Sequence, residues 1–268
     1  TGAGKSSIIT LNAGGVVGNY YGDAISNDAG NSTTTINSGA QVFGKFSMGG
    51  GSDSVTFNGG DFTLVSQIDG GAGVDALTFR NANGGFNAAN ILNVENVTIG
   101  SGATMSFLNN PLNADLTIAS GGRLTVTTVN GDVTVEAGGT LAPGTSPGLT
   151  SIIGNLDLGL GSITNLELGG LTAITQYDRL DVSDDPGTGG TLEGIATLTA
   201  GAIFDIDFFG AFPAGLGDVF DVLVADTISV TDFGTLVFDF TNAALGSGFA
   251  WDASIVTFDG TREALRLT

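Results

Sequence analysis

The chain has no cysteine and no histidine, only five prolines, and seven lysines and arginines against 27 acidic residues. Each shortage closes off a kind of chemistry. Without cysteine there are no disulfide staples and no thiolate metal sites, so stability must come from packing and from ladder hydrogen bonds. Without histidine neither a Ser-His-Asp nor a Cys-His nucleophile system can be assembled. Lyase chemistry lacks both its usual proton-abstracting base and the cations that neutralise uronates. A formal charge of −20 sets the chain against nucleic acid and anionic lipid, whose phosphates are held by Lys and Arg. No apolar run reaches the length of a membrane-spanning helix, and no basic-plus-apolar leader opens at Thr1. A start at Thr rather than Met points to a processed or excised mature portion. Glycoside hydrolysis by two carboxylates across a cleft stays open on composition, because aspartate is abundant.

What is present is apolar and flexible at once: 41% hydrophobic residues, a mean hydropathy of +0.30, and 45 glycines. That hydrophobicity is too high for a disordered chain and is enough to bury a core. Apolar residues alternate with Thr, Ser, Asn and Asp in runs of four to seven bounded by glycine pairs, as in residues 8–11, 55–57, 124–129 and 132–136. This is the pattern of strands and tight turns rather than helices. Residues 87–92 are the weakest strand region and read as a helical turn.

A fixed internal period redefines the fold. "NSTTTI" from Asn31, "DSVTFN" from Asp53 and "DALTFR" from Asp75 start 22 residues apart, each a polar opener followed by alternating strand residues. Further on, "NVTIGSGATMSF", "DLTIASGGRLTV" and "DVTVEAGGTLAP" repeat a strand, a glycine turn and a second strand, opened by Asn96, Asp115 and Asp132 at spacings of 19 and 17 residues. Units of this kind cannot bury their own apolar face and must stack on their neighbours, so the expected fold is all-β, a parallel β-helix or β-solenoid. At about 4.8 Å per stacked coil, a dozen coils make a rod on the order of 50 to 60 Å long. The texture changes near Leu141. Residues 1–148 read as glycine-rich solenoid coils, and residues 149–268 as a longer-stranded section that continues or caps them. The part after Ser151 holds 14 of the 22 aspartates and 10 of the 17 phenylalanines. In "IFDIDFF", Asp205 and Asp207 alternate with Phe204, Ile206 and Phe208 and are expected to face water while the rings fill the interior.

The stretch "LAPGTSPGLTSIIGNLDLGLGSITNLELGG", with "YDRLDV", "GTLEGIATL", "GDVFDVLVAD" and "FAWDASIVTFDGTREALRLT", resembles the passenger regions of bacterial autotransporter-type adhesins. It is also similar to surface proteins carrying autotransporter-associated β-strand repeats. The upstream "GGAGVDALTF" to "LNVENVTIGSGATMSF" has the same style, so the resemblance runs from about Gly49 onward. It implies a right-handed parallel β-helix, export to the cell surface, and a role in adhesion, matrix or surface structure. The membrane-embedded barrel that ends a complete autotransporter does not follow in this sequence.

Candidate sites are few. "TGAGKSS" has the look of a phosphate-binding loop, but "IITLNAGG" after it reads as a strand where that loop needs a helix. "GGAGVDALT" at residues 70–78 fits the nonapeptide of calcium-binding β-rolls, and "GGGSDSV" from Gly49 fits it in part. Calcium, the one cofactor considered, would fall to Asp69, Asp75 and Asp53. The bland alternative is a glycine corner with an aspartate closing the turn. "SDDPGTGG" from Ser183 places Asp184 and Asp185 near Asp178 and Asp181 as a second cation possibility. Asn31 and Asn96 open glycosylation triplets.

The function expected is that of a non-enzymatic extracellular protein of a bacterial surface, a spacer, adhesin or fibre subunit. Its partners would be surface glycans or receptors on host or neighbour cells. The open ends of a solenoid invite strand addition between copies, so a homopolymer is expected through "SSIITL" (Ile8, Ile9, Leu11) and "EALRLT" (Leu265, Leu267). The competing class is a carbohydrate-binding or carbohydrate-active β-helix, which needs a groove with clustered carboxylates or exposed aromatics.

Overall fold

The computed structural model describes residues 6–184, 194–210 and 212–268. The chain divides into two compact units, Thr1–Leu124 and Thr125–Thr268. The change of texture near Leu141 thus falls inside the second unit.

In the first unit one face is a run of parallel strands, Ser7–Leu11, Ser32–Asn37, Ser54–Asn58, Ala76–Arg80, Asn96–Ile99 and Asp115–Ile118, each paired with the next. A second face stacks Val16–Ser26, Gln41–Ser47, Asp61–Asp69 and Ile91–Leu92, also in parallel. Chain order alternates between the faces through Ile91–Leu92, so each of the first four windings contributes one strand to each, as the repeat required. Asn83–Gly85 and Thr104–Phe107 form a further parallel pair. The weak region at residues 87–92 is a 3-10 turn at Ala88–Asn90, capped by the Asn87 side chain accepting from the Ala89 amide, and then a short strand.

The alternation sets which side chains go inward. Ile36, Phe57, Phe79 and Ile99 are fully buried, and Phe57 and Phe79 stack at 5.6 Å between ring centroids. Burial of one such side chain is worth about 1.5–3 kcal/mol, and no single winding can gain it alone. The same alternation turns Thr35, Thr56, Thr78, Thr98 and Thr117 outward, one above another.

The register corrects the first repeat by one residue. Thr33 lies opposite Ser54, so Ser32 rather than Asn31 corresponds to Asp53. The physical cause is the core. A 22-residue offset would align outward Thr33 with inward Val55, whereas the observed register aligns buried Thr34 with Val55 and buried Ile36 with Phe57.

The turns stack as tightly as the strands. Parallel bridges join Ala29 to Gly50 and Gly50 to Ala72. Gly73 has φ +141°, and a β-carbon there would fall 1.7 Å from the Gly51 carbonyl oxygen, so only glycine fits.

In the second unit each winding has three strands. One face stacks Val133–Val135, Leu156–Leu158, Ile195–Leu198 and Thr227–Val230. Another stacks Thr140–Pro143, Ile163–Leu168, Ile203–Phe208 and Val237–Asn242. The third stacks Thr128–Asn130, Leu149–Ile153, Arg179–Ser183 and Phe220–Ala225. All of these pairs are parallel. Phe204 and Ile206 are buried while Asp205 and Asp207 stay at the surface, as the alternation predicted, but Phe208, expected inside with them, is only half-buried.

The third face ends differently. Glu263–Leu267 adds to Phe220–Ala225 in the antiparallel sense, and Ala253–Thr257 adds antiparallel to it in turn. Beneath, Trp251 stacks on Phe240 at 5.1 Å, touches Phe220, and donates its indole N–H to the Ala243 carbonyl at 2.9 Å. Trp251 is therefore part of the packing and not an exposed platform.

Candidate functional site

Where windings stack, polar side chains at equivalent positions meet, and two columns result in the first unit. The Asn37 amide donates to Asn12 Oδ1 at 2.9 Å, Asn58 to Asn37 at 3.1 Å, and Asn81 to Asn58 at 2.8 Å. Asn37 and Asn58 end their strands, and Asn12 and Asn81 sit just past the end of theirs, where the backbone turns.

The second column is acidic. Asp53 Oδ1 accepts from the Ser32 amide at 2.6 Å, Asp75 Oδ1 from the Asp53 amide at 2.7 Å, and Glu95 Oε2 from the Asp75 amide at 2.7 Å. Each carboxylate thus closes the turn of the winding before it. Asp53 and Asp75 are buried, and the Oδ2 atom of each has no hydrogen-bond partner. Burial is the main cause that pushes the Asp75 carboxyl above its ordinary range. The Asp53 amide opposes this, and the charges of Asp53, Glu95 and Asp69 add to it.

Of the three calcium candidates, the structure brings Asp53 and Asp75 into this column and sends Asp69 elsewhere. Asp69 lies on the second face, ion-paired with Lys45 at 3.4 Å and accepting from the Asn93 amide group at 2.8 Å. Among the described residues, no three acidic side chains gather in a way that could hold a metal ion. Replacing Asp75 separates the turn-closing role from the ionic one. Asp75→Ala leaves the buried Asp53 amide without an acceptor and is expected to cost about 1–3 kcal/mol. Asp75→Asn keeps the Oδ1 acceptor and removes the buried charge, so its urea midpoint is expected to equal or exceed that of the wild type at neutral pH. A melting temperature raised by excess calcium in the wild type but not in Asp75→Asn would assign the carboxylate to a cation instead.

The acidic cluster expected near Ser183 is spread over different partners. Asp178 is buried at 2% exposure and accepts from the Gly148 amide at 2.5 Å and the Glu167 amide at 2.8 Å. Burial pushes its pKa up to about 7, against the pull of those two amides and with the Glu167 charge adding to the rise. Asp181 is shared by Arg179 at 2.5 Å and Arg262 at 3.0 Å. The Asp184 amide donates to Asp226 at 3.0 Å, and Asp185 lies outside the described residues. Thr1 to Lys5, the core of the phosphate-loop resemblance, lie outside them too, and Ser7 begins a strand as expected.

The expected meeting strands fare unequally. Ser7–Leu11 ends the strand order of its sheet, with Ile8 82% exposed and Ile9 and Leu11 half-buried. Leu265 and Leu267 are fully buried, and their strand is hydrogen-bonded along both edges, so it has no open edge to offer a second copy. The strand that ends the order on that side is Ala253–Thr257.

Sequence reasoning missed a shallow groove of about 360 Å³ beside the asparagine column, floored by the threonine rank and bordered by Arg80. The only signal for it was the recurrence of Thr, then an apolar residue, then Asn or Arg in "TIN", "TFN" and "TFRN".

Strand order, register and stacked turns make both units windings of a parallel β-solenoid. No protein-family model matches the chain, and no curated protein is significantly similar to it.

Proposed function

We propose that this chain is a non-enzymatic structural and adhesive part of a bacterial surface protein, exported and displayed outside the cell, as its autotransporter-like sequence style implies. One observation supports this above others. Polar side chains at the turns of the first unit join winding to winding: Asn12, Asn37, Asn58 and Asn81 in one column, Asp53, Asp75 and Glu95 in the other. Windings held so offer rigidity and a repeated outward surface. End-to-end fibres belong to the same reading. The exposed Ser7–Leu11 edge favours them, and the partner edge offered by the second unit is Ala253–Thr257 rather than the strand of Leu265 and Leu267.

Beads coated with the purified chain are expected to be retained on bacterial or host-cell layers under flow when uncoated beads wash away. Equal loss of both, or turnover of any member of a polysaccharide panel by the soluble chain, would replace this reading with the carbohydrate-active one.

A further inference from the structure

Arg80 differs from the other basic residues. Lys45 pairs with Asp69, Arg179 and Arg262 share Asp181, Arg266 holds Asp221, and Arg123 has a polar or electrostatic interaction of its own. Among the described residues Arg80 is the one cation with neither an acid nor a hydrogen-bond partner, and it is exposed. Its stem lies along the next winding over Gly100, where a β-carbon would come within 2.9 Å of Arg80 Cγ and 3.3 Å of Nε. The following coil thus carries no side chain where the arginine passes.

The groove beside it, about 360 Å³, is lined by hydroxyl and amide side chains that include Thr56, Asn58, Thr78, Asn81 and Ser101, and no carboxylate lines it. Asn58 and Asn81 are fixed by the column, and Thr56 and Thr78 by the sheet register, so these groups are placed before any ligand arrives. In a chain of charge −20, a carboxylate-free hollow with one unpaired guanidinium is a complementary site for a single anionic group. The planar guanidinium fork matches a carboxylate, and the surrounding hydroxyls and amides match sugar hydroxyls. The volume lies at the small end for ligand sites, enough for one or two sugar rings. The acidic surface elsewhere disfavours a polyanion, since each further negative charge meets repulsion.

We propose that this groove binds a glycan ending in a sugar that bears one carboxylate, with the carboxylate on Arg80 and the ring hydroxyls on Thr56, Thr78 and the asparagine column. The choice of a glycan over another anion rests on the adhesive reading above.

The test is titration of the full chain, by calorimetry or by NMR, with four probes: a trisaccharide ending in sialic acid, a disaccharide ending in glucuronic acid, the neutral sugar lacking the acidic residue, and inorganic sulfate. Saturable binding of at least one acidic sugar is expected, and no measurable binding of the neutral one. Arg80→Gln is expected to weaken binding at least tenfold with an unchanged melting temperature. Gly100→Leu, which keeps the charge but displaces the arginine, is expected to weaken it as well. Failure of both acidic sugars to bind, equal binding of the neutral sugar, equal binding by Arg80→Gln, or sulfate binding as tightly as the sugars would each overturn the proposal. The bead-retention assay is independent of these outcomes, so loss of the sugar site leaves the adhesive reading standing on its own result.

Discussion

Ending the chain at Arg262 is expected to destabilise the second unit and make the chain aggregate. The removed strand buries Ala264, Leu265 and Leu267 completely and pairs along both its edges. Burial of the two leucines alone is worth about 3–6 kcal/mol, a large share of the roughly 5–15 kcal/mol that holds a typical domain. Its loss also bares the edge of Phe220–Ala225, an apolar strand whose backbone groups would template a second chain. The strand is held from outside as well: Arg266 grips Asp221 through two bonds of 2.7 and 3.0 Å. Size-exclusion chromatography with light scattering, and calorimetry, read the outcome. Leu265→Asp in the full chain should move both in the same direction. A truncated chain that keeps the size distribution of the wild type and melts as before would show that the antiparallel cap is dispensable.

The second large effect is a stability that falls as pH rises. Asp178 has a folded-state pKa of about 7 against 3.8 for an unperturbed aspartate. Because the folded value is the higher one, its contribution is fully present below about pH 4. It is lost progressively up to about pH 7, by an amount on the order of 4 kcal/mol from this group alone. Other carboxylates slope the opposite way. Asp61, held down mainly by the Thr63 hydroxyl, loses stability on acidification. The quantity to measure is therefore the difference between the wild type and Asp178→Asn in urea unfolding from pH 4 to 8. The variant keeps the acceptor for Gly148, gives up the one for Glu167, and has no charge to bury. Its stability relative to wild type is expected to improve steadily with pH across that window and to level off above it. A constant difference would mean that Asp178 is ionised in the folded protein throughout.

Much of the architecture was legible because it depends on the side-chain alternation that also carries the sequence signal. "SVTFN" and "ALTFR" name their inward residues directly, and the 19-residue step from Asn96 to Asp115 is the observed register. "NSTTTI" misled by one place because its inward positions include Thr34, which is as polar as the outward threonines flanking it. Only the stacking of Ile36 on Phe57 fixes the register. The reversal of strand direction at the end of the third face was not legible. "EALRLT" alternates like any parallel strand, and nothing in it records that it runs back against Phe220–Ala225. For the sites, Asp53 and Asp75 were readable as turn residues from the glycines before them. Their acceptance of amides from the preceding winding depends on register. Arg80 looked like any other basic residue, because its isolation is a fact about where the remaining cations find partners.

The steps between stacked strands vary freely while the core stays in line. Thr128 lies opposite Ser151, Leu149 opposite Arg179, and Leu180 opposite Leu223, steps of 23, 30 and 43 residues. In the first unit, residues 19–22 swell out of one strand, carrying the exposed Tyr20 and Tyr21, and pairing resumes at Asp23. Insertions and deletions at such corners leave the neighbouring rungs undisturbed. A lineage of these chains can therefore rewrite its perimeter one loop at a time at little risk to folding.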